Sequence, residues 1–320
     1  MGTSTKTVDL VIQGGGVKGV AALGVILTLA EAGYRFNRIA GTSAGAIVGT
    51  LVAAYQRAGE DLHKLEPVMR ELDYNRFKDP STLERFTGPI GLGIDLLVKD
   101  GLYSGDFVQE FMTPLLEGVG VTTFDDLRLD DPDAAMPDYQ AYSLVIAATD
   151  ISRRVLVRLP WDYGQYGRQP GEQRIVDAVR ASMSFPFFFR PVQFTTGAGE
   201  QVTWVDGGMV ANFPVTIFDR TDDKPPRWPT WAVMISAEPV AADKPVTSAL
   251  GQAHALYDTV LSAMTNRYHL AEEGLTRRTI TVDTSEVTPL DFGLTRDQQQ
   301  TLFAHGRAAG QAFLARQPSP

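Results

Sequence analysis

The stretch that decides the fold runs from Val8 to Arg57, VDLVIQGGGVKGVAALGVILTLAEAGYRFNRIAGTSAGAIVGTLVAAYQR. Val8 to Gln13 is a short apolar run and reads as a buried strand, ended by Gly14-Gly15-Gly16. Val20 to Ala32 is apolar almost all round, the pattern of a buried helix, and Gly33 stops it. Phe36 to Ala40 reads as a second short strand, Gly41 to Gly45 as a tight turn, and Ala46 to Arg57 as a second apolar helix. This βαβα order predicts a parallel sheet with helices on both faces. Lys18 followed by Val20 to Ala30 imitates a signal peptide, but a strand and a glycine cluster precede it, which favours an internal helix. Ile39 to Gln56 is uncharged and reaches membrane-span length, but Gly, Thr and Ser interrupt it as a strand–turn–helix would.

Outward from this stretch, the chain reads as one α/β domain over residues 1–320. Residues 60–140 are richer in charge, Pro and Gly and are expected to form an insertion or cap. Residues 219–320 are read as the C-terminal part of the same domain. Further strands are expected at Ser143 to Thr149, Val155 to Leu159, Val202 to Val205, Trp231 to Ser236 and Thr279 to Val282. Helices are expected at Ile175 to Met183, Thr247 to Leu270 and from Thr295, where Thr295 and Gln298 form a capping-box pair. With no cysteine, neither a disulfide nor a Cys-built metal site is possible. A net charge of −9 argues against a nucleic-acid partner and against general attraction to anionic lipid.

Three spots carry chemistry. Gly41-Thr42-Ser43-Ala44-Gly45 is a G-x-S-x-G pentapeptide between a strand and a helix, the context of a nucleophile elbow. The bland alternative is an ordinary turn with Ser43 as an N-cap. Gly14-Gly15-Gly16-Val17-Lys18-Gly19 precedes a helix with its amides unshielded, a nest that suits an anion, and Lys18 could add positive charge there. Gly14, Gly16 and Gly19 also fit the dinucleotide fingerprint. However, that fingerprint wants an acid at the end of the second strand, where this chain runs into Gly41-Thr42-Ser43. Asp206-Gly207-Gly208 puts a carboxylate at a strand end, able to accept the Ser43 proton directly, although Asp-Gly is also a common turn. Of the four histidines (His63, His254, His269 and His305) none has neighbours suggesting catalysis. A Ser-His-Asp triad would need one of them to arrive from the C-terminal region.

Together and in this order, the three spots resemble the patatin-like phospholipase family, whose pattern is G-G-G-x-[RK]-G, then G-x-S-x-G, then D-G-[GA]. Gly101 to Gly105, Ala148-Thr149-Asp150, Ala178 to Pro186 (AVRASMSFP) and Asn212-Phe213-Pro214 also look like bacterial members. The resemblance implies a three-layer α/β/α sandwich with a mostly parallel central sheet. It also implies hydrolysis of lipid esters by a Ser–Asp dyad, without metal, nucleotide or other cofactor. Carried over, Ser43 attacks the ester carbonyl and Asp206 takes its proton, then activates water against the acyl-enzyme. The amides of Gly15, Gly16 and Val17 hold the oxyanion. Gly14, Lys18, Gly19, Gly41, Gly45, Gly207 and Gly208 support these motifs.

The expected substrate is a phospholipid or other acyl lipid, met transiently at a membrane or micelle surface by an otherwise soluble, cytoplasmic protein. Phe185-Pro186-Phe187-Phe188-Phe189 and residues 88–98 could line an apolar channel to Ser43, or the phenylalanines could simply pack in the core. A catalytically weak lipid-binding or regulatory protein on the same fold is the alternative, and a nucleotide-binding module is the third.

Overall fold

The computed structural model describes residues 6–78, 103–130, 136–236 except 221 and 223, and 273–317, with isolated positions at 246, 252, 255, 259 and 260. The chain begins with β1 (Lys6–Ile12), α1 (Gly19–Glu31), β2 (Tyr34–Thr42) and α2 (Ala44–Ala58). These are the strands and helices expected of Val8 to Arg57: β2 and α2 are longer by a residue or two at each end, whereas β1 and α1 begin one or two residues earlier and end one residue sooner. α3 (Leu65–Arg70) and α4 (Phe107–Glu117) follow, then β3 (Leu144–Asp150) and β4 (Val155–Leu159). α5 (Ile175–Ser182), β5 (Val192–Thr195), β6 (Gln201–Asp206) and the single-turn α6 (Gly208–Ala211) come next. β7 (Thr230–Ser236), α7 (Glu273–Arg277), β8 (Thr279–Asp283) and α8 (Arg296–Arg316) complete the described chain. The expected capping box is present at Thr295, whose hydroxyl accepts the Gln298 amide.

The strands form one sheet in the order β5-β6-β3-β2-β1-β7-β8, with β4 also paired to β3. β1, β2, β3, β7 and β8 are mutually parallel. β4 and β6 run antiparallel to β3, and β5 antiparallel to β6. Helices flank this mostly parallel sheet: α1 and α8 pack together over β7 and β8, while α2 and α5 lie against β2 and β3. Strands covered on both sides are apolar on both faces, which is why Leu10, Val11 and Ile12 are all fully buried. α1 is buried from Gly19 to Leu29, so its apolar residues face the sheet on one side and α8 on the other. Each such aliphatic side chain contributes about 1.5–3 kcal/mol on burial.

The α1–α8 contact is unusually close. A Cβ on Gly24 would stand 2.4 Å from the Phe303 carbonyl oxygen, and one on Gly306 would stand 1.9 Å from that of Ala21. Only hydrogen at these positions lets the two helix backbones touch. Where α1 ends, Glu31 accepts hydrogen bonds from Arg307 of α8 at 2.6 Å and pairs with His63 at 2.8 Å.

The register around β3 positions the site. β2 pairs with Leu144 to Ala147, and β4 with Ile146 to Asp150. β6 pairs with Ala148 to Asp150. A strand has two edges. β4 overlaps both β2 and β6 along β3, so β2 and β6 share the other edge, end to end. β2 finishes at Thr42 opposite Ala147, and β6 finishes at Asp206 opposite Ala148. The two strands meet head to head, one residue step of about 3.3 Å apart along β3.

Candidate active site

Ser43 is the first residue beyond β2, at φ 52° and ψ −122°. Few L-residues adopt that backbone, and where they do the surroundings must hold them there. Crowding does part of this. A Cβ on Gly41 would meet the Gly45 carbonyl oxygen at 2.3 Å, and a Cβ on Gly45 would meet that of Ile12 at 2.4 Å. The carbonyl of Ser43 accepts the Ala46 amide at 2.8 Å, so the residue occupies the N-cap position by its backbone. Its hydroxyl makes no capping bond. The bland reading of Ser43 as a side-chain N-cap therefore fails, because the hydroxyl is left for other work.

Asp206 ends β6 and is 1% exposed. Its Oδ1 accepts the Gly208 amide at 2.7 Å, and its own amide donates to the Ser184 carbonyl at 2.9 Å. Gly207 has no room for a side chain, since a Cβ there would meet the Ala147 carbonyl oxygen at 2.3 Å. The Asp-Gly-Gly stretch is thus a strand end running into α6 rather than a hairpin turn.

The glycine loop reaches the same place from β1. Its Gly14 amide donates to the Asn212 carbonyl at 3.1 Å. A Cβ on Gly14 would come within 2.4 Å of Asn212 Oδ1 and 3.3 Å of Ser43 Cβ. Thr42 Oγ1 donates to the Ala211 carbonyl at 3.0 Å. The structure therefore brings all three motifs together, the loop and the elbow each bonded to the segment after Asp206.

The anion site differs from expectation in one respect. The Val17 amide donates to the Pro289 carbonyl at 3.0 Å. The segment between β8 and α8 crosses the loop there, and a Cβ on Gly16 would stand 1.9 Å from Pro289 O. In this arrangement Val17 has no amide to offer an oxyanion. The Gly15 and Gly16 amides make no backbone hydrogen bond among the described residues. Lys18 is 1% exposed; burial pulls its ammonium down to about 8, with Asp283 acting against that shift.

Sequence reasoning assigned no role to three residues that the site uses. Ser182 and Ser184 lie in the AVRASMSFP block, and Arg180, its third residue, donates to Ser184 Oγ at 2.6 Å and also bonds the Ser104 carbonyl. Burial lowers the Arg180 guanidinium, with Asp106 opposing. The signal for them was the likeness of Ala178 to Pro186 to bacterial family members, which gave the block no individual roles. The phenylalanine run divides: Phe185 and Phe189 are buried core, whereas Phe187 is 39% exposed at φ 68°. Phe188 stacks on Phe292, centroids 5.0 Å apart and planes 8° from parallel. Residues 88–98, His254, His269 and most of the stretch Thr247 to Leu270 lie outside the described residues; the positions described within that stretch, 252, 255, 259 and 260, are helical, and Thr259 Oγ1 donates to the Ala255 carbonyl at 2.7 Å. The other two histidines are engaged elsewhere, His63 with Asp61 and Glu31 and His305 with the Asp283 carbonyl. A cavity of about 210 Å³ lined by Phe213, Val215, Met234, Leu275 and Arg316 includes no residue of the glycine loop, the Ser43 pentapeptide or Asp206-Gly207-Gly208. Among the described residues no helix is long and apolar enough to cross a membrane.

Comparison with known proteins bears on the family and the fold. The uncharacterized protein YqhO of Bacillus subtilis (strain 168) is 31% identical over 313 residues, 96% of this chain and 98% of its own length. Lysophospholipase NTE1 of Chaetomium globosum is 44% identical over 50 residues, 16% of this chain and only 3% of that protein. The crystal structure of VipD from Legionella pneumophila superposes with a TM-score of 0.52 at 17% identity, over 98% of this chain and 67% of that one. At that identity the likeness speaks to the fold. The profile of the patatin-like phospholipase family matches residues 10–219, which span all three motifs, and the chain belongs to that family.

Proposed function

We propose that this protein is a serine acyl-hydrolase of lipid esters, with Ser43 as nucleophile and Asp206 as its base. The supporting observation is the head-to-head meeting of β2 and β6 on one edge of β3, beside the glycine loop. As Ser43 Oγ bonds to the ester carbonyl carbon, its proton passes to the Asp206 carboxylate. The carbonyl π electrons move onto oxygen, where the Gly15 and Gly16 amides stabilise the charge; each such donor is worth roughly 3 kcal/mol in comparable sites. Collapse breaks the ester C–O bond, and the departing alcohol takes the proton from Asp206. Water then loses a proton to Asp206 as it attacks the acyl-enzyme; the second collapse breaks the acyl C–Oγ bond, releases the carboxylic acid and returns the Asp206 proton to Ser43 Oγ. Burial of the carboxylate keeps competing water away from the proton transfer. The lysophospholipase named among the relatives makes a phospholipid or lysophospholipid the first substrate to try.

The test combines a fluorophosphonate probe with hydrolysis of aryl esters and micellar phospholipid. Labelling is expected at Ser43 alone. Ser43→Ala abolishes turnover, and Asp206→Asn lowers it by about 10³-fold or more while both variants stay folded. Asp206→Asn turnover near the wild-type rate would point to a different base. Probe adducts absent from wild-type protein would favour the non-catalytic lipid-binding reading.

A further inference from the structure

Ser182, the last residue of α5, is fully buried. Its Oγ accepts the Ser43 amide proton at 2.9 Å and donates to the Ala147 carbonyl at 2.6 Å. Its own carbonyl accepts the Gly207 amide at 3.3 Å. We propose that Ser182 is a positioning residue for acyl transfer: one side chain fixes the nucleophile's backbone, and the same residue's main chain fixes the segment that carries the base. The proposal rests on the Ser43–Asp206 reading above.

The need for a hydroxyl follows from the neighbours. The Ser43 amide lies at the start of α2, where helix N–H groups have no partner within the helix. The Ala147 carbonyl, at the last β2 pairing position of β3, points toward the same gap. A group placed between a donor and an acceptor must accept from one and donate to the other, and a serine hydroxyl does both at once. Alanine at 182, a fully buried position, leaves the amide and the carbonyl without that partner. The elbow, held at φ 52°, then loses the one side-chain bond to its own amide and is free to relax toward an ordinary helix start. Such a shift moves Ser43 Oγ relative to Asp206 and the Gly15 and Gly16 amides, the groups that act as bonds are made and broken rather than when the lipid first binds. The loss should therefore fall on kcat and not on KM.

The experiment measures kcat and KM on an aryl ester and the rate of fluorophosphonate labelling, well below the melting temperature, for Ser182→Ala, Ser182→Cys, Ser182→Thr and Thr28→Ala. Thr28 is a buried hydroxyl bonded to the Gly24 carbonyl at 3.0 Å, in α1 and outside the site, and serves as a control for the loss of a buried hydrogen bond. Ser182→Ala is expected to lower kcat and labelling by roughly 10- to 100-fold with KM within about twofold. Ser182→Thr, which keeps the hydroxyl, recovers most of that loss, and Thr28→Ala lowers the melting temperature with kcat unchanged. Wild-type labelling of Ser182→Ala overturns the proposal, as does an equal kcat loss in Thr28→Ala. If Ser182→Ala does not fold, Ser182→Cys, a near-isostere with weaker hydrogen bonds, decides: full wild-type kcat there also overturns it. Ser43→Ala run in parallel separates the two readings. Surviving hydrolysis in that variant ends the Ser43 assignment, whereas its loss together with wild-type labelling of Ser182→Ala ends only the positioning role.

Discussion

The site edge and the α1–α8 seam are built by the same device and to different ends. In both, glycine lets backbones approach closer than any side chain permits: Gly45 against the Ile12 carbonyl at the site, Gly306 against the Ala21 carbonyl at the seam. At the seam the result is two helices in backbone contact, with Gly24 against the Phe303 carbonyl and Gly310 against the Thr28 side chain. At the site the result is convergence, with three strand ends and two backbone segments tied by hydrogen bonds around Ser43. Close packing at the seam serves stability, whereas at the site it serves geometry. The two should therefore fail differently.

The largest expected effect tests that contrast directly. Gly45→Ala should cut kcat by about 100-fold or more, because the elbow must shift to admit a methyl group near the Ile12 and Gln13 carbonyls. Gly306→Ala should lower stability by roughly 2–3 kcal/mol while kcat per folded molecule stays put. Denaturant titration alongside active-site-titrated kinetics separates the two. If Gly306→Ala loses as much kcat as Gly45→Ala, the division between the regions fails.

A smaller effect sharpens the picture at the site edge. Burial holds the Lys18 ammonium at about 8 against an ordinary 10.5. As pH rises, the folded chain releases that proton before the unfolded chain does. The stability contribution of Lys18 is therefore least favourable below pH 8 and improves between pH 8 and about 10.5. Lys18→Met should raise stability at pH 7 by roughly 1–3 kcal/mol and flatten that rise, read from melting temperatures across the range. A variant that keeps the wild-type slope would show another group to be responsible.

The smallest effect belongs to the end of the seam. Glu31 first, then Asp61, raise the pKa of His63. The folded chain holds that proton more tightly, so the stabilisation is full below about pH 6.5 and fades as pH climbs through the raised value. The ring is well exposed, so solvent screening keeps the contribution below about 1 kcal/mol. His63→Gln should lower the melting temperature slightly at pH 6 and not at pH 9. An equal drop at both would assign the loss to packing.

Most of this architecture was legible where the signal is local. The apolar runs of β1, α1, β2 and α2 announce themselves by length and period, and the turn glycines mark their ends. The three motifs were legible for the same reason, since each is contiguous. What joins them was not. Ser182 meets Ser43 across 139 residues and Asn212 meets Gly14 across 198, and nothing in either stretch names its partner. Pro289 at the Val17 amide likewise depends on how the chain returns from β8. β5 escaped because four half-exposed residues, Val192–Thr195, carry too little pattern. α4 escaped because Pro114 interrupts it within a charged stretch.

The backbone of Ser43 has a consequence for the thermodynamics of the whole chain. A residue at φ 52°, ψ −122° contributes against folding, of order 1–3 kcal/mol, every time the molecule forms. Glycine would sit there without strain, but it carries no hydroxyl. On the proposed mechanism the chain is thus held below its attainable stability by its nucleophile, and variants selected only for thermal resistance would drift toward losing it.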